Sequence, residues 1–278
     1  MKISNSLYID LLKRCLTASL YEESSWVLLH GPMKVESGLV PYIQRSILSF
    51  LRTKGLRLVR TSGTDPSLRS KGRDWPLFGM TMVGTCRLEN VQSCVESVLA
   101  EGIPGDFVET GVWRGGTCIL AKALFREHGA DERSVWCCDS FEGMPIPSGK
   151  DKSINANSDF SDRDYLAVSQ EQVQENFERF GLLDNRVHFV KGWFSQSLPK
   201  ASIGRIAVLR MDGDLYDSTM DAMNNLYDKV SIGGYLIVDD YLSWPGCKQA
   251  IDEFRESRNI PDPLMPIDDD GVFWRKSV

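Results

Sequence analysis

The sequence lacks several features that mark common classes of protein. No apolar run approaches the roughly 18 residues that a helix needs to cross a bilayer. Charged side chains at Asp10, Lys13 and Arg14 interrupt the apolar stretch near the N-terminus, where a secretory signal would lie. A net charge of −6 argues against non-specific nucleic-acid binding by the whole molecule. We therefore expect a cytoplasmic protein with no membrane span and no nucleic-acid partner.

Cysteine and histidine are arranged in ways that exclude further chemistries. The seven cysteines form no CxxC pair and no spacing typical of a zinc site, and most lie in apolar segments. We expect buried, reduced thiols. There are three histidines, of which His128 falls at a helix end and His188 inside a predicted strand, so we expect structural roles for them. Catalysis would then depend on carboxylates.

The chain from residue 102 onwards alternates between strands and helices. Strand candidates occur at 106–110, 134–138, 187–191, 206–211 and 234–239. The short apolar runs 206–209 and 235–238 within them are typical of strands buried on both faces. Helical periodicity occupies residues 115–128, 169–180, 217–229 and 247–258. Two segments around Asp-Gly at 270–271 predict an antiparallel hairpin, 263–267 with 271–276. The pattern predicts an α/β fold for residues 102–278, a doubly wound Rossmann-like sheet with a C-terminal hairpin.

The first 101 residues have a different pattern. Residues 5–22 and 86–101 predict helices, whereas residues 30–78 are irregular and rich in glycine and proline. Between Arg45 and Arg73 the chain has eight Lys or Arg and one acid. Such a segment has too few periodic apolar residues for a core of its own. We therefore predict that residues 1–101 are an extension and that 23–80 forms a lid over the crevice.

Two acidic clusters follow neighbouring predicted strands. Asp212 and Asp214 come after one apolar run, and Asp239 and Asp240 come after the next. Turn or helix-cap roles would explain either cluster alone. Together, at the carboxyl ends of parallel strands, the four carboxylates would repel one another unless a cation neutralised them. Oxygen ligands of this kind suit Mg²⁺, so the sequence predicts a metal site.

A glycine-rich loop follows the first strand of the predicted sheet. Its GxxxGG spacing over 111–116 differs from the GxGxxG of dinucleotide sites, and Glu109 stands just before it. A carboxylate there would repel a pyrophosphate but could hold the ammonium of S-adenosylmethionine. The second strand ends at Asp139, where a ribose-binding acid belongs.

These segments together resemble the macrocin O-methyltransferase (TylF-type) family of S-adenosylmethionine-dependent enzymes. The matching stretches are 72–76, 81–84, 105–116, 139–143, 192–194, 208–214 and 238–241. The resemblance covers roughly residues 5–30 and 72–278. Members methylate sugar hydroxyls on macrolides, aminocoumarins and related natural products, so the resemblance implies a hydroxylated, glycosylated small-molecule acceptor. It also implies a homo-oligomer.

The resemblance carries roles onto individual residues. It implies that Asp212, Asp239 and Asp240 bind Mg²⁺ and that Asp214 is the general base. It implies contacts to S-adenosylmethionine from a larger set: Thr81, Met82, Glu109, Thr110, Gly111, Trp113, Asp139, Ser140, Gly192, Trp193 and Asp212. Met80 stands where some relatives have a histidine, and residues 45–71 look like an insertion. Both departures lie where the acceptor pocket is shaped, so the acceptor itself is not predicted.

Other classes of function remain alternatives at this point. A nicotinamide-dependent oxidoreductase is disfavoured by the GxxxGG spacing and by Glu109. A nucleic-acid-modifying protein would use the basic stretch, which lacks interleaved aromatic residues. The same stretch, over 45–60, could instead lie on a membrane surface. A non-catalytic interaction protein would have no physical reason to retain four repelling carboxylates.

Overall fold

A seven-stranded sheet forms the centre of the protein, whose structure is a computed structural model. The residues that it describes are 6–20, 26–28, 47, 50, 51, 53–56, 59–61, 65–74, 78–154 and 165–278. Much of the predicted lid at 23–80, including parts of the basic stretch, and His30 therefore lie outside the described residues. Strands β1 (Trp26–Leu28) and β2 (Val59–Thr61) pair antiparallel as a separate small sheet.

The central sheet contains five parallel strands and an antiparallel pair. Its strands are β3 (Asp106–Thr110), β4 (Val135–Asp139), β5 (Val187–Lys191), β6 (Ile206–Met211), β7 (Val230–Val238), β8 (Met265–Pro266) and β9 (Val272–Arg275). Their order across the sheet is β5-β4-β3-β6-β7-β9-β8, with β8 and β9 antiparallel. This order confirms the predicted Rossmann-like fold and its C-terminal hairpin.

Helices cover both faces of the sheet. They are α1 (Leu7–Leu16), α2 (Pro66–Ser70), α3 (Thr85–Ala100), α4 (Gly116–Glu127), α5 (Asp151–Ile154), α6 (Gln170–Arg179), α7 (Phe194–Ser197), α8 (Tyr216–Leu226) and α9 (Pro245–Ser257). Two apolar clusters form the core, one on each face of the sheet. Among the described residues, no helix is long and apolar enough to cross a membrane. All seven cysteines are free thiols, as predicted; five of them are buried, whereas Cys15 and Cys86 are half-buried.

Helix α1 ends at Leu16, six residues before the predicted end at residue 22. Among the strands, the largest boundary difference from the sequence prediction is the start of β7. The predicted strand begins at residue 234, because two glycines precede its apolar run. In the structure β7 begins at Val230, and its pairing with β6 shifts register between Ile206 and Val208. Gly233 has φ 84°, so a glycine there lets the chain pass through the irregularity and continue as a strand.

The N-terminal helix α1 packs into the same core as the sheet. Ile9 and Leu16 are buried in the cluster that also contains Phe107 of β3 and Leu120 of α4. The chain then returns to α4, since the amide of Met80 donates to Leu16 and the carbonyl of Met80 accepts from Gly116, at 2.8 and 2.9 Å. The proposed domain boundary at 101/102 stays a prediction, and these contacts join the two segments closely.

The strand order reverses between β3 and β6, which places a crevice at their carboxyl ends. Chain order runs outward from β3 through β4 to β5, then crosses back to β6 on the other side of β3. The ends are bonded to each other: Gly111 N–H donates to Cys138 and Asp212 N–H donates to Thr110, both at 2.8 Å. In open α/β sheets, ligands bind at such a switch point.

Candidate active site

A cavity of about 710 Å³ lies at this switch point. Segments that follow the ends of four strands (β3, β4, β5 and β6) and the first turns of α8 form most of its wall. The lining residues are Met82, Gly111, Trp113, Asp139, Ser140, Gly143, Met144, Pro145, Ile146, Ser148, Asp151, Leu166, Trp193, Phe194, Ser195, Gln196, Asp212, Gly213, Asp214, Leu215, Asp217, Ser218, Met220 and Asp221. A cavity of this size accommodates a small-molecule ligand.

The cavity wall includes part of the predicted site and excludes the rest. Eight predicted residues line it: Met82, Gly111, Trp113, Asp139, Ser140, Trp193, Asp212 and Asp214. Six others lie outside the wall: Thr81, Glu109, Thr110, Gly192, Asp239 and Asp240. Thr81 is buried and its hydroxyl accepts from the amide of Val83 at 3.2 Å. The predicted ligand contacts of this second group stay predictions.

Glycines shape the loop after β3 for a steric reason. Gly111 has φ 86°, and a Cβ there would lie 1.8 Å from the carbonyl oxygen of Asp212. Gly115 has φ 84° at the N-cap of α4, and a Cβ there would lie 2.8 Å from Val173 Cγ1. Larger residues would therefore separate β3 from β6 or push α4 away from α6.

Three non-glycine residues around the cavity have left-handed backbone conformations. Trp113, Phe141 and Asp214 have φ of 46°, 57° and 55°, and each stands just after the end of β3, β4 or β6. Such conformations cost energy for residues with a Cβ and persist where the surrounding structure holds them. Their concentration at one cavity is typical of a functional site.

Asp139 ends β4, and each oxygen of its carboxylate accepts a hydrogen bond from a backbone amide. Its Oδ2 accepts from the amide of Val112 at 2.7 Å, and its Oδ1 accepts from the amide of Phe141 at 2.8 Å. Burial raises the pKa of Asp139, and the amide donors oppose that rise. The side chain is thus fixed at the cavity wall where the sequence places a ribose-binding acid.

Three of the four predicted acids converge. Carboxylate oxygens of Asp212, Asp214 and Asp240 all lie within 4.8 Å of one another, and the amide of Asp214 donates to Asp240 Oδ2 at 3.3 Å. Burial raises the pKa of Asp212 to about 6, and Asp239 adds to that rise. Burial and the neighbouring aspartates hold the pKa values of Asp214 and Asp240 well above the ordinary range. Such a set of hard oxygen atoms fits a divalent cation.

Asp239 is held differently, by two buried arginines. Its Oδ1 lies 2.6 Å from Arg210 Nη2, and its Oδ2 pairs with Arg87 Nη1. Arg210 is 1% exposed and also pairs with Asp212, at 2.9 Å, and with Glu109. One guanidinium thus neutralises carboxylates at the ends of three neighbouring strands. Neither arginine had a predicted role, because a lone arginine in an apolar run or helix carries no spacing signal.

Glu109 is likewise engaged inside the protein. It is 1% exposed, pairs with Arg210 and accepts from Cys118 Sγ at 2.8 Å. Burial raises the pKa of Glu109 to about 7. Its predicted contact to a cofactor ammonium stays a prediction, and Glu109 is not among the residues that line the cavity.

The sequence analysis did not predict many of the residues that line the cavity. Met144, Ile146 and Ser148 come from the loop after β4, and Asp217 and Asp221 lie one turn apart on α8. The i, i+4 spacing of the two aspartates just after the acidic cluster was an available signal. His128 and His188 lie outside the wall, as expected; His188 stacks on Trp136 with ring centroids 4.2 Å apart.

Comparison with known proteins agrees with this geometry. The sequence matches the profile of the macrocin O-methyltransferase (TylF) family over residues 5–276. The chain belongs to this family. It is 44% identical to the demethyldecarbamoylnovobiocin O-methyltransferase of Streptomyces niveus, covering 98% of this chain and 94% of the relative. It is 43% identical to a rhamnosyl-tetracenomycin C 4'-O-methyltransferase of Streptomyces olivaceus, covering 99% of this chain and 94% of the relative.

The fold comparison also matches an O-methyltransferase. The structure of the O-methyltransferase NovP superposes with a TM-score of 0.78 at 41% identity, covering 99% of this chain and all of that one. The protein is therefore a methyltransferase of the macrocin O-methyltransferase family. Neither an oxidoreductase nor a nucleic-acid-binding protein is among these matches, so the alternatives from the sequence gain no support.

Proposed function

We propose that this O-methyltransferase transfers the methyl group of S-adenosylmethionine, with Mg²⁺, to a sugar hydroxyl of a glycosylated natural product in antibiotic biosynthesis. Family membership supports the reaction class. The names of the two relatives support the acceptor class, since one acts on a rhamnosyl group of a tetracenomycin. The residues that line the cavity support three further parts of the proposal: a cationic cofactor, a divalent cation and a glycosylated acceptor.

The charge of the cavity favours a cationic cofactor. Its described wall contains six aspartates and no Lys, Arg or His; the six are Asp139, Asp151, Asp212, Asp214, Asp217 and Asp221. A pyrophosphate would meet no side-chain cation on this wall and would be repelled by the carboxylates. The sulfonium of S-adenosylmethionine and a divalent cation would each be attracted. This contrast argues against a dinucleotide in the same space.

The observation that carries the proposal is the carboxylate set at the cavity. Asp212, Asp214 and Asp240 bring oxygen atoms within 4.8 Å of one another. Asp212 and Asp240 would hold the cation, and Asp239 would join them, because a carboxylate paired with two arginines still has unused lone pairs. When bound, Mg²⁺ acts as a Lewis acid that lowers the pKa of an acceptor hydroxyl.

The protein's own residues would bind, orient and deprotonate. Asp139, fixed by two backbone amides, would accept hydrogen bonds from the ribose hydroxyls of the cofactor. Asp214 lines the cavity in a strained conformation, next to Asp212, and would take the proton of the acceptor hydroxyl. Most of the acceleration would come from holding hydroxyl and methyl group in line.

The apolar part of the cavity wall has the composition expected for contact with an aglycone. Met144, Pro145, Ile146, Leu166 and Met220 present apolar surface to the cavity. Ser148, Ser218 and Asp221 offer hydrogen-bonding groups beside it. A glycoside, with a polar sugar and an apolar aglycone, matches both parts of this wall.

Binding and turnover experiments test the proposal in two steps. Calorimetry should show binding of S-adenosylhomocysteine and none of NAD⁺. Methyl transfer from labelled S-adenosylmethionine to a panel of hydroxylated glycosides should stop in EDTA and return with added Mg²⁺. Binding of NAD⁺ alone would refute the cofactor, and full turnover in EDTA would refute the cation.

A further inference from the structure

Arg87, in the first turn of α3, binds three carboxylates from two distant parts of the chain. Its Nη1 pairs with Asp239, its Nε lies 2.8 Å from Asp268 and its Nη2 lies 2.6 Å from Asp270. The side chains of Arg87, Asp239, Asp268 and Asp270 are each at most 8% exposed. Each of the three kinds of guanidinium nitrogen therefore has its own acidic partner.

The hairpin turn Asp268–Gly271 is built to hold its two acids towards Arg87. Asp268 Oδ1 accepts from the amides of Asp270 and Gly271, both at 2.9 Å, which leaves Oδ2 for Arg87. The carbonyl of Asp270 accepts from the amide of Leu242 at 2.8 Å, two residues after Asp240. The turn is thus bonded directly to the loop that contains the cation-site acids.

The three acids depend on Arg87 for neutralisation to different degrees. Asp270 has a second partner in Arg73, at 2.6 Å, and Asp239 has one in Arg210. Asp268 pairs with Arg87 alone among the ion pairs of the described residues. Without Arg87, the hairpin acids and Asp239 would face one another as like charges in a space with little water. The turn and the Asp239 side chain would then move apart.

Planarity makes an arginine suited to this position. A guanidinium donates in fixed directions, so it can set the rotation of Asp239 while gripping the turn on its other edge. Lysine would keep the charge but could not hold three partners in fixed directions. Groups that hold a metal ligand from behind commonly change metal affinity by about 10–100-fold when removed.

We propose that Arg87 is a positioning residue for the cation site and that the C-terminal hairpin turn orients Arg87, so that Asp268 belongs to the active-site architecture. The inference rests on the proposed cation site but assigns a role to residues outside the cavity wall. Strands β8 and β9, which flank this turn, would then support the active site as well as complete the edge of the sheet.

The test measures Mn²⁺ affinity by electron paramagnetic resonance and S-adenosylhomocysteine affinity by calorimetry. Arg87→Lys and Asp268→Asn should each weaken Mn²⁺ binding by about tenfold or more, with cofactor affinity within about twofold of wild type. In Asp268→Asn, the side-chain amide nitrogen would replace the carboxylate oxygen that accepts from Arg87 Nε. Two donors would then face each other. The double variant should be no weaker than Arg87→Lys alone, because both changes break one contact chain. Millimolar guanidinium should restore Mn²⁺ affinity to Arg87→Ala.

Asp269→Asn is the matched control. It lies in the same turn and loses the same charge, but its side chain is 62% exposed and pairs with Lys71 at 2.6 Å. It should bind Mn²⁺ like wild type. Equal Mn²⁺ affinity in wild type, Arg87→Lys and Asp268→Asn would overturn the positioning role, as would parallel losses of Mn²⁺ and cofactor affinity. Absence of Mn²⁺ binding by wild type would overturn the cation site itself and this inference with it.

Discussion

Gly111 and Asp212 meet backbone to backbone at the floor of the active site. A Cβ at residue 111 would lie 1.8 Å from the carbonyl oxygen of Asp212. The loop expected to hold the cofactor and the strand end expected to hold the cation are therefore in direct contact. A change in one must move the other.

Gly111→Ala should damage both binding functions. The added methyl group must displace backbone, and φ 86° is unfavourable for alanine. We expect Mn²⁺ and S-adenosylhomocysteine affinities to fall together, by tenfold or more, as measured by calorimetry. Gly129→Ala is the control, since Gly129 also has a positive φ, 66°, but no atom within 4 Å of its Cβ position. Normal binding of Mn²⁺ and S-adenosylhomocysteine by Gly111→Ala would show that the backbone contact between residues 111 and 212 can adjust without changing either site.

Asp139 should make cofactor binding depend on pH. Its carboxylate must be ionised to accept the ribose hydroxyls, and burial raises its pKa in the free protein. Affinity for S-adenosylhomocysteine should therefore be full at high pH and fall on acidification, at a higher pH than for an ordinary aspartate with pKa of about 3.9. Asp139→Asn loses an acceptor for backbone amides and should bind weakly without this transition. The same pH profile in both proteins would refute the assignment.

The variant Asp214→Asn tests whether Asp214 is the general base or a ligand of the cation. If Asp214 removes the proton, the rate should fall by roughly 10²–10⁴-fold while Mn²⁺ and cofactor affinities are kept. Asp239→Asn should show the reverse, with weakened Mn²⁺ binding and a rate that recovers at saturating metal. Because Asp214 lies with Asp212 and Asp240 within 4.8 Å, loss of Mn²⁺ affinity in Asp214→Asn would instead make it a ligand.

Arg210→Met should destabilise the fold. The change would leave buried Glu109 and Asp239 and half-buried Asp212 with one fewer cation, which typically costs about 3–5 kcal/mol when a buried pair is broken. Urea unfolding would measure the loss, and Mg²⁺ should restore part of it by binding the native state. Arg258→Met removes an exposed arginine paired with Asp228 and should change stability little. A small effect at Arg210 would mean that the acids protonate without it.

Ile146→Ser should weaken acceptor binding alone. Ile146 lines the cavity among its apolar residues and is 72% exposed. We expect a several-fold rise in the acceptor KM, from a loss of about 1 kcal/mol of apolar burial, with unchanged cofactor affinity. Ile232→Ser is matched in chemistry and is 67% exposed outside the cavity wall. Equal KM values for the two variants would remove Ile146 from the acceptor site.

Local patterns predicted the elements of the fold well. Strands β3 to β6 agree with their predicted ranges to within a residue at each end. Strands β3, β4 and β6 lie inside the sheet, where a strand covered on both faces is largely apolar, whereas β5 is the edge strand and is mostly half-buried. The β7 start was wrong by four residues, because a glycine can continue a strand through an irregularity as well as end it. Strand–helix alternation then fixed the parallel topology, since crossovers of one hand allow few arrangements.

The sequence by itself determined the fold class, because the order of strands and helices follows from short-range periodicity. It also determined that a glycine-rich loop follows β3 and that acids lie together at adjacent strand ends, where ligands bind in such sheets. Only the tertiary structure decided how those acids are paired. It joins Arg87 to Asp239 and Asp268 across 152 and 181 residues, and it turns Asp239 towards two arginines while Asp214 faces Asp212 and Asp240. Ion pairing depends on distances between side chains that meet only after folding, and no local spacing encodes them.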